Sequence, residues 1–380
     1  RNRDRYKRAV MDTNRVLHLA GLEFETALSL GADEAEVSLL RDTEFGVTVR
    51  NGEIENLVES GSRRVGIDLF VDGRKAVVTS TDNSEESIRQ LIAEGIELSR
   101  VMDRDEYAGL PDKEELGAAE GDLGSFDEAT AAITAAEKIE TAMKLEKATI
   151  ALDSRMISDG ASCSTVTLTS VLANSLGFCE SFDRTSSSIS VSCAAEDTPD
   201  SGENTGKKQS SWWYSTSISF AGLDPVEKVA SRAVERTLRK LGAVKPKSCE
   251  VPVIFDDVTS TQLLSYVASA AGGSSIYKKA SFLVDMLGKE NGSPLVTIID
   301  DPLMKGRPGS RPFDGEGVRS RVKTIVDAGT LENYLLSSYQ ARKLGLKTTG
   351  NAGGTSNLYM KAGEHSPEEM ISGIENGLYL

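Results

Sequence analysis

Two turn sequences, Asn51-Gly52 and Asp72-Gly73, most constrain how this chain can fold, because each lies between runs of alternating apolar residues. Asn-Gly and Asp-Gly favour two-residue hairpin turns, in which both central residues take positive φ. Around the first turn Val49 would face Ile54, and the flanking Arg and Glu would pair in the same register. The sequence therefore predicts two antiparallel hairpins near its beginning.

Helical patterns flank these hairpins. Apolar residues spaced three and four apart occur over residues 17–31, and Ser84 precedes a second amphipathic segment that contains Ile88 and Ile92. A helix, paired hairpins and a helix form an α+β layer rather than a βαβ series. We predict a multi-domain α+β fold with antiparallel sheets and helices packed on one face, and a first domain over residues 1–105.

The second predicted domain, residues 106–243, is rich in Ser and Thr. A linker from Met102 to Phe126, rich in Asp, Glu and Gly, spans the boundary with the first domain. Short alternating strands are expected over residues 157–220, interrupted by a mobile loop from Asp197 to Lys208. A helix should precede these strands, with four apolar residues on one face: Ile133, Ala136, Ile139 and Met143.

Trp212-Trp213-Tyr214 is a candidate ligand platform within this domain. Neighbouring strand residues point to opposite faces, however, so at least one of these rings should belong to the core. A helix is then expected to begin at Asp224-Pro225 and end at Gly242.

The third predicted domain covers residues 244–380 and starts with a strand from Val251 to Phe255. The stretch from Thr259 to Gly273 follows and consists almost entirely of apolar or small residues. This composition predicts a buried helix that carries no side chain able to bind a metal.

Several ordered motifs across the chain resemble the TldD/PmbA family, and within it the PmbA (TldE) branch. The amino-terminal hairpins match this pattern. The longer motifs are Gly272 to Leu283, Pro312 to Arg319, Ser338 to Leu346 and Thr349 to Gly354.

The resemblance implies a carboxy-terminal domain that forms a cleft for an extended peptide. It also implies that the TldD branch carries a zinc helix with two histidines and a glutamate, and that PmbA pairs with TldD to cleave linear peptides. By motif order, those ligand positions are occupied here by Ser265, Tyr266 and Ala270. Serine and tyrosine are weak zinc ligands and alanine is none. We therefore expect no catalytic residue, no metal and no cofactor in this chain, with zinc in the catalytic partner.

Peptide contact is expected at Tyr277, Asn351, Gly353 and Gly354, because glycine allows a bound backbone to approach closely. The resemblance also implies that family members continue past the position of Leu380 into a glycine-rich strand region. On that basis the third domain is expected to be incomplete at its end.

Histidine content independently argues against a zinc hydrolase site. The chain has only two histidines, His18 and His365, and they do not share a helix face, whereas catalytic zinc usually needs neighbouring imidazoles. A serine nucleophile at Ser265 or Ser269 would lack a nearby base. A hard-cation site is a further alternative, although the surrounding Gly and Pro favour simple turns; its carboxylates would be Asp300, Asp301, Asp314 and Glu316.

Composition limits the partners. A formal net charge of −15 argues against a general nucleic-acid surface, and no apolar run approaches the ~20 residues that span a bilayer. No signal peptide is evident after the basic start. We expect a cytoplasmic location and buried, unpaired thiols, since the cysteine spacing forms no known motif: Cys163, Cys179, Cys193 and Cys249.

Two functions remain open. The first is a PmbA/TldE-like subunit of a TldD-type metallopeptidase complex that acts on linear or unfolded peptides, in peptide maturation or antitoxin degradation. The second is a regulatory binding protein of the DNA gyrase modulator type. Expected partners are a TldD-like zinc peptidase subunit, an extended peptide and, when alone, a second copy of the chain.

Overall fold

The computed structural model describes residues 23–197, 207–245 and 247–380. Predictions that concern residues 1–22, including the position of His18, and most of the predicted Asp197–Lys208 loop lie outside these ranges.

One antiparallel sheet of six strands organises the first two-thirds of the chain, in the order β3-β2-β1-β4-β5-β6. Four of its strands have 17 to 19 residues, much longer than the sequence pattern suggested. The strands are β1 (Glu34–Arg50), β2 (Glu53–Val71), β3 (Arg74–Ser80), β4 (Met156–Asn174), β5 (Cys179–Glu196) and β6 (Lys208–Ser217).

Both predicted hairpins are present. Asn51 and Gly52 have φ of 55° and 76°, and Asp72 and Gly73 have φ of 50° and 69°, as a two-residue hairpin turn of this type requires. Val49 is paired with Ile54. The carboxylate of Glu146 supports the first turn from below, accepting hydrogen bonds from the Asn51 and Gly52 amides at 2.7 and 2.9 Å.

Helices cover one face of this sheet, as predicted. Because side chains alternate along a strand, the odd-numbered residues of β1 all point to this face. Two apolar clusters result, with Val37 in one and Val47 in the other. The covering helices are α1 (residues 23–30), α2 (Glu85–Val101), α3 (Glu128–Ala132), α4 (Ala135–Ala151) and α5 (Val226–Leu238).

The predicted apolar stripe on α4 is partly wrong. A capping box of Thr134 and Glu137 begins the helix, so Ile133 lies outside it and Ala136 is exposed. Packing against the sheet instead buries Ala142 and Leu145.

The carboxy-terminal region contains a four-stranded sheet in the order β10-β9-β8-β11 and a two-stranded pair of β7 and β12. Its strands are β7 (Val253–Ile254), β8 (Ile298–Asp300), β9 (Lys323–Asp327), β10 (Thr330–Leu331), β11 (Leu358–Met360) and β12 (Leu378–Tyr379). Its helices are α6 (Thr259–Ala271), α7 (Gly273–Tyr277), α8 (Ser338–Leu344) and α9 (Pro367–Ser372).

The prediction that α6 is buried is wrong. Only Ala268 and Ala271 of this helix are buried, whereas Leu263 is 44% and Tyr266 is 71% exposed. Small residues allow one face of α6 to pack closely against its neighbours. The described residues do not cover the other faces of this helix.

The predicted linker packs against both regions rather than tethering them. The Arg342 guanidinium on α8 donates to the carbonyls of Tyr107 and Gly109 at 2.9 and 3.2 Å, and the Gly117 amide donates to Gly317 O at 3.0 Å. On the sheet face opposite the helices, Phe178 and Phe182 contact Phe313 edge-on. These contacts place the carboxy-terminal region against the far face of the sheet.

The domain boundaries stay a prediction about folding units. In the structure β1 and β4, which lie on either side of the predicted boundary at residues 105 and 106, pair directly in one sheet. No helix of the described residues is long and apolar enough to cross a membrane.

The cysteine prediction is partly wrong. Cys163 and Cys193 are buried, but Cys179 and Cys249 are exposed. Cys179 begins β5 and pairs with Ala173, at a position whose exposure the sequence pattern alone cannot show.

Candidate functional site

A groove of about 430 Å³ runs between α6, α7, α8 and the loop that precedes β11. Its walls consist of small side chains and backbone. The lining residues are Ser265, Ala268, Ser269, Gly272, Gly273, Ser274, Ser275, Leu335, Ser337, Gln340, Asn351, Ala352, Gly353, Gly354, Thr355 and Leu358.

Asp256 fixes the start of α6. Its carboxylate accepts hydrogen bonds from the Val258 and Thr259 amides at 3.0 and 2.7 Å, and from Arg236 at 2.8 Å. Burial opposes ionisation, but the bonds from Thr259 and Arg236 prevail and hold the pKa of Asp256 below its usual range. The charged carboxylate therefore caps α6 and ties it to α5.

Gly273 brings α6 and α7 close to α8. A Cβ at this position would lie 2.5 Å from Gln340 Oε1 and 2.8 Å from Leu336 Cδ2, so only glycine fits without displacement. The Gly273 amide donates to Leu335 O at 2.9 Å, which closes this end of the groove.

The opposite wall is a loop with glycine at each left-handed position. Gly350, Gly353 and Gly354 have φ of 69°, 87° and 92°, values that side-chain-bearing residues rarely adopt. Asn351 is buried in this loop, donates to Asp300 Oδ2 at 3.0 Å and accepts from Thr349 Oγ1 at 2.9 Å. The loop is thus built in one shape by its sequence.

Two buried aspartates hold the loop from behind. Asp300 accepts from the Ser356 amide and hydroxyl, both at 2.6 Å, and its ion pair with buried Lys323 spans 3.5 Å. Asp314 accepts from the Ala352 amide at 2.9 Å, and burial raises the pKa of Asp314 to about 6. Burial also disfavours the charged form of Lys323 and so lowers its pKa, although the charge of Asp300 opposes this shift.

The backbone of Gly353 is open to the groove. Among the described residues, neither its N–H nor its C=O takes part in a hydrogen bond, and the residue is exposed. The neighbouring Gly354 carbonyl, in contrast, accepts from Arg311 at 2.6 Å. One free donor and one free acceptor at the groove wall are what an extended peptide backbone could pair with.

The structure brings four of the predicted site residues together at this groove: Ser265, Asn351, Gly353 and Gly354. Tyr277 does not line it; this ring lies 6.4 Å from the ring of Tyr339. Tyr266 is exposed outside the groove, and Ala270 packs against the apolar core.

The residues of the groove do not fit the zinc ion that the sequence resemblance implies for the TldD branch. Its lining contains no His, Cys, Asp or Glu, and Ser265 donates its hydroxyl to Thr261 O at 3.0 Å within its own helix. Across the described residues, no group of three or more such side chains is arranged to hold a metal ion.

The other chemical alternatives are explained by local structure. Asp300 and Asp314 hold the loop, Asp301 accepts from the Leu303 amide at 2.8 Å, and Glu316 accepts from the Ser338 amide at 2.9 Å. Each of the four carboxylates that could have bound a cation therefore accepts a hydrogen bond from a backbone amide. Likewise His365 does not line the groove, so it cannot serve as a base for Ser265 or Ser269.

The aromatic triplet divides as the strand pattern predicts. Trp213 packs on the core beneath Arg232 and Arg236, each 5.2 Å from its ring centroid. Trp212 and Tyr214 are exposed on the other side, with ring centroids 5.5 Å apart.

Several lining residues were not predicted from the sequence. Ser337 and Gln340 form the capping box that begins α8, a recognisable helix-start signal. That signal gives no indication of a groove, because the groove arises from how α8 packs against Gly273.

Comparisons with known proteins assign the chain to a family. Three family models match in sequence order: the PmbA/TldA metallopeptidase domain 1 over residues 35–99, the central domain over residues 128–241 and the C-terminal domain over residues 248–380. The chain belongs to this PmbA/TldD metallopeptidase family.

Within the family the similarity is to the PmbA branch. The metalloprotease PmbA of Escherichia coli O157:H7 is 34% identical over 358 residues, which cover 93% of this chain and 77% of that protein. A PmbA homologue of Haemophilus influenzae is 33% identical over 89% of this chain and 73% of its own length. A TldD homologue from the same organism is 31% identical but matches only 40% of this chain.

Solved structures show the same fold. A crystal structure from Bacteroides thetaiotaomicron, described as a candidate modulator of DNA gyrase, has a TM-score of 0.89 at 28% identity and covers 96% of this chain and 81% of its own. TldE from Thermococcus kodakarensis has a TM-score of 0.81 at 20% identity, over 94% and 80% of the two chains, and supports the fold alone.

Proposed function

We propose that this chain is the peptide-holding, non-catalytic subunit of a TldD-type metallopeptidase complex that acts on linear or unfolded peptides. Peptide maturation and antitoxin degradation are the processes this activity would serve, in the cytoplasm. The observation that supports the proposal is the groove itself, which is lined by hydroxyl, amide and backbone groups without a charged side chain.

An uncharged groove of this kind suits the backbone of an extended peptide. Strand addition gives affinity through main-chain hydrogen bonds and makes few demands on sequence. The open N–H and C=O of Gly353 could supply such bonds, and β11, an edge strand of its sheet, contributes Leu358 to the lining. Catalysis would need a metal ligand or a base, and the lining supplies neither.

Filling the groove tests this proposal. Ser269 is exposed on α6 and lines the groove, so Ser269→Leu should block it while favouring the helix. Gln262→Leu introduces the same side chain on an exposed part of α6 outside the groove and is the matched control. We expect Ser269→Leu to weaken binding of a fluorescent unfolded peptide by about tenfold or more, with the control unchanged. Equal binding by both variants would refute the assignment.

Zinc and activity give a second test. The purified chain should contain no stoichiometric zinc and should not cleave the peptide alone, whereas adding a TldD-like subunit should produce cleavage that Ser269→Leu impairs. About one zinc per chain by elemental analysis, held by a single subunit, would contradict the proposal.

Twofold self-association of the chain alone is part of the proposal. β3 pairs with Val65–Val71 only, so the edge of β2 from Glu53 to Arg64 has no neighbour on that side among the described residues. Antiparallel pairing with a second copy would bring the Glu53 end of one strand against the Arg63-Arg64 end of the other. A twofold axis requires this self-complementarity.

Charge exchange tests that edge. Reversing Arg63 and Arg64 to Glu should shift light-scattering mass from dimer toward monomer, and adding Glu53→Arg should restore the dimer. Monomeric wild type at micromolar concentration, alone and with a TldD-like subunit, would exclude twofold association.

A regulatory role toward DNA gyrase is the second candidate, favoured by the similarity to the Bacteroides structure described above. The net charge of −15 disfavours direct DNA contact but permits a protein partner. Affinity capture from the native cells, scored for a TldD-like peptidase against gyrase subunits, distinguishes the two functions.

A further inference from the structure

A second cavity, of about 830 Å³, opens on the helix-covered face of the six-stranded sheet. Along β1, the apolar clusters under the two helix pairs are separated by Arg41 and Thr43, so the helix layer has a gap at this point. The floor and walls of the gap are mostly neutral, with Phe45, Thr165 and Thr167 among the lining residues. We name this gap the interhelix cavity.

Lys138 lines the interhelix cavity and is only 8% exposed. Its Nζ lies 4.5 Å from the centroid of the Phe45 ring. Within the part of the chain that the structure describes, no hydrogen bond or ion pair uses this ammonium, although a lysine carries three donors. Burial lowers the pKa of Lys138, although the nearby acidic groups of Cys163, Glu59 and Glu137 oppose this shift.

The start of α4 lies at the Lys138 end of the cavity, where the Glu137 carboxylate accepts hydrogen bonds from the Thr134 amide and hydroxyl at 2.8 and 2.6 Å. Lys138 belongs to the first turn of α4, a helix of 17 residues, and Ala135 at its beginning also lines the cavity. The amino-terminal end of a helix attracts negative charge. Glu59, which pairs with Phe45, is exposed at the mouth of the cavity, where water screens its charge, whereas Lys138 lies at the buried end.

We propose that the interhelix cavity binds a small carboxylate-bearing ligand, with the carboxylate on Lys138 and the start of α4 and the body of the ligand over Phe45 and the threonines. The cavity has the size of a typical small-molecule site. A free peptide carboxy terminus and a small dicarboxylate offer the same chemistry. The cavity is separate from the groove between α6 and α8, so this inference is independent of the proposed peptide-holding role.

Matched probes test the proposal by calorimetry on the full chain. The probes are acetyl-Ala-Ala-Phe with a free carboxylate, the same peptide as its carboxy-terminal amide, succinate and inorganic phosphate. The free acid or succinate should bind, the acid about tenfold or more tighter than the amide, because the amide loses a charge-assisted hydrogen bond. Binding by the acid with no binding by succinate identifies a peptide terminus, and the reverse identifies a small dicarboxylate.

Variants locate the binding. Lys138→Met keeps the apolar stem over Phe45 and removes the charge, and should reduce carboxylate affinity about tenfold or more. Lys147→Met, at an exposed position of the same helix, is the control and should bind as wild type. If Lys138→Met does not fold, Lys138→Arg should retain preference for the acid over the amide. The comparison of acid with amide on the wild-type chain then still tests the proposal.

Three outcomes would overturn the proposal: equal affinity for acid and amide, unchanged binding by Lys138→Met, or no carboxylate binding at millimolar concentration. Binding of phosphate alone would also overturn the carboxylate assignment. Ser269→Leu should leave binding at the interhelix cavity intact, which separates failure of this inference from failure of the groove assignment.

Discussion

Replacing Glu36 by Gln should make the protein more stable at alkaline pH and leave its stability at acidic pH almost unchanged. Glu36 lies on the helix-free face of β1 and is 8% exposed, opposite Asp68 on β2. Within the described residues its Oε2 atom has no hydrogen-bond partner. Burial, with the nearby charges of Asp68 and Glu316, raises the pKa of Glu36 to about 8.

The direction in which stability changes with pH depends on which state binds the Glu36 proton more tightly. The folded state binds the Glu36 proton more tightly than the unfolded state, so stability is lost as pH rises from the unfolded pKa near 4.5 through about 8. Each pKa unit corresponds to about 1.4 kcal/mol. The cost at pH 8 is therefore about 4 kcal/mol relative to pH 4.

Glutamine has the shape of protonated glutamate and does not ionise, so Glu36→Gln removes this cost. Urea unfolding of both proteins at intervals between about pH 5 and pH 8 measures the difference, which should grow with pH toward that limit. Glu44→Gln, at an exposed position of the same strand, is the control. Parallel stability curves for wild type and Glu36→Gln would refute the reasoning, because Glu36 would then be ionised at no cost.

Two further substitutions test the packing around the groove. Gly273→Ala should lower the free energy of unfolding by about 1–3 kcal/mol, because its Cβ has no room beside Gln340; unchanged urea unfolding would contradict this contact. Gly353→Val should also destabilise by about 1–3 kcal/mol, since a β-branched residue would take φ of 87°; a retained thermal midpoint would show that the loop relaxes freely. Peptide binding is therefore tested better at Ser269 than at Gly353.

The amino-terminal hairpins could be predicted because their information is local. Asn51-Gly52 and Asp72-Gly73 fix both turn geometry and register, and the structure reproduces the pairing of Val49 with Ile54. The continuation of this sheet into β4 could not be predicted, since the pairing of Val37 with Ala173 joins residues far apart in the sequence. No local pattern encodes that contact.

The exposure of α6 could not be predicted from its composition. Its small, apolar composition is typical of a buried helix, yet Tyr266 is 71% exposed. The same small residues have another use here, because Ala268, Gly272 and Gly273 pack closely on one side and line the groove on the other. Composition alone cannot distinguish a helix that packs tightly from one that borders a groove.

The family motifs are mostly supports for the groove rather than direct contacts with a ligand. Asp314 accepts hydrogen bonds from the amides of Glu316, Val318 and Ala352. Arg342 of the α8 motif holds the linker in place. Asp300, Asp314 and Lys323 are buried in this supporting structure, and the unfavourable desolvation of their charges is offset only if the loop keeps one shape. A preformed loop of that kind is useful for holding a ligand, which is why we propose a binding role for this chain rather than a purely structural one.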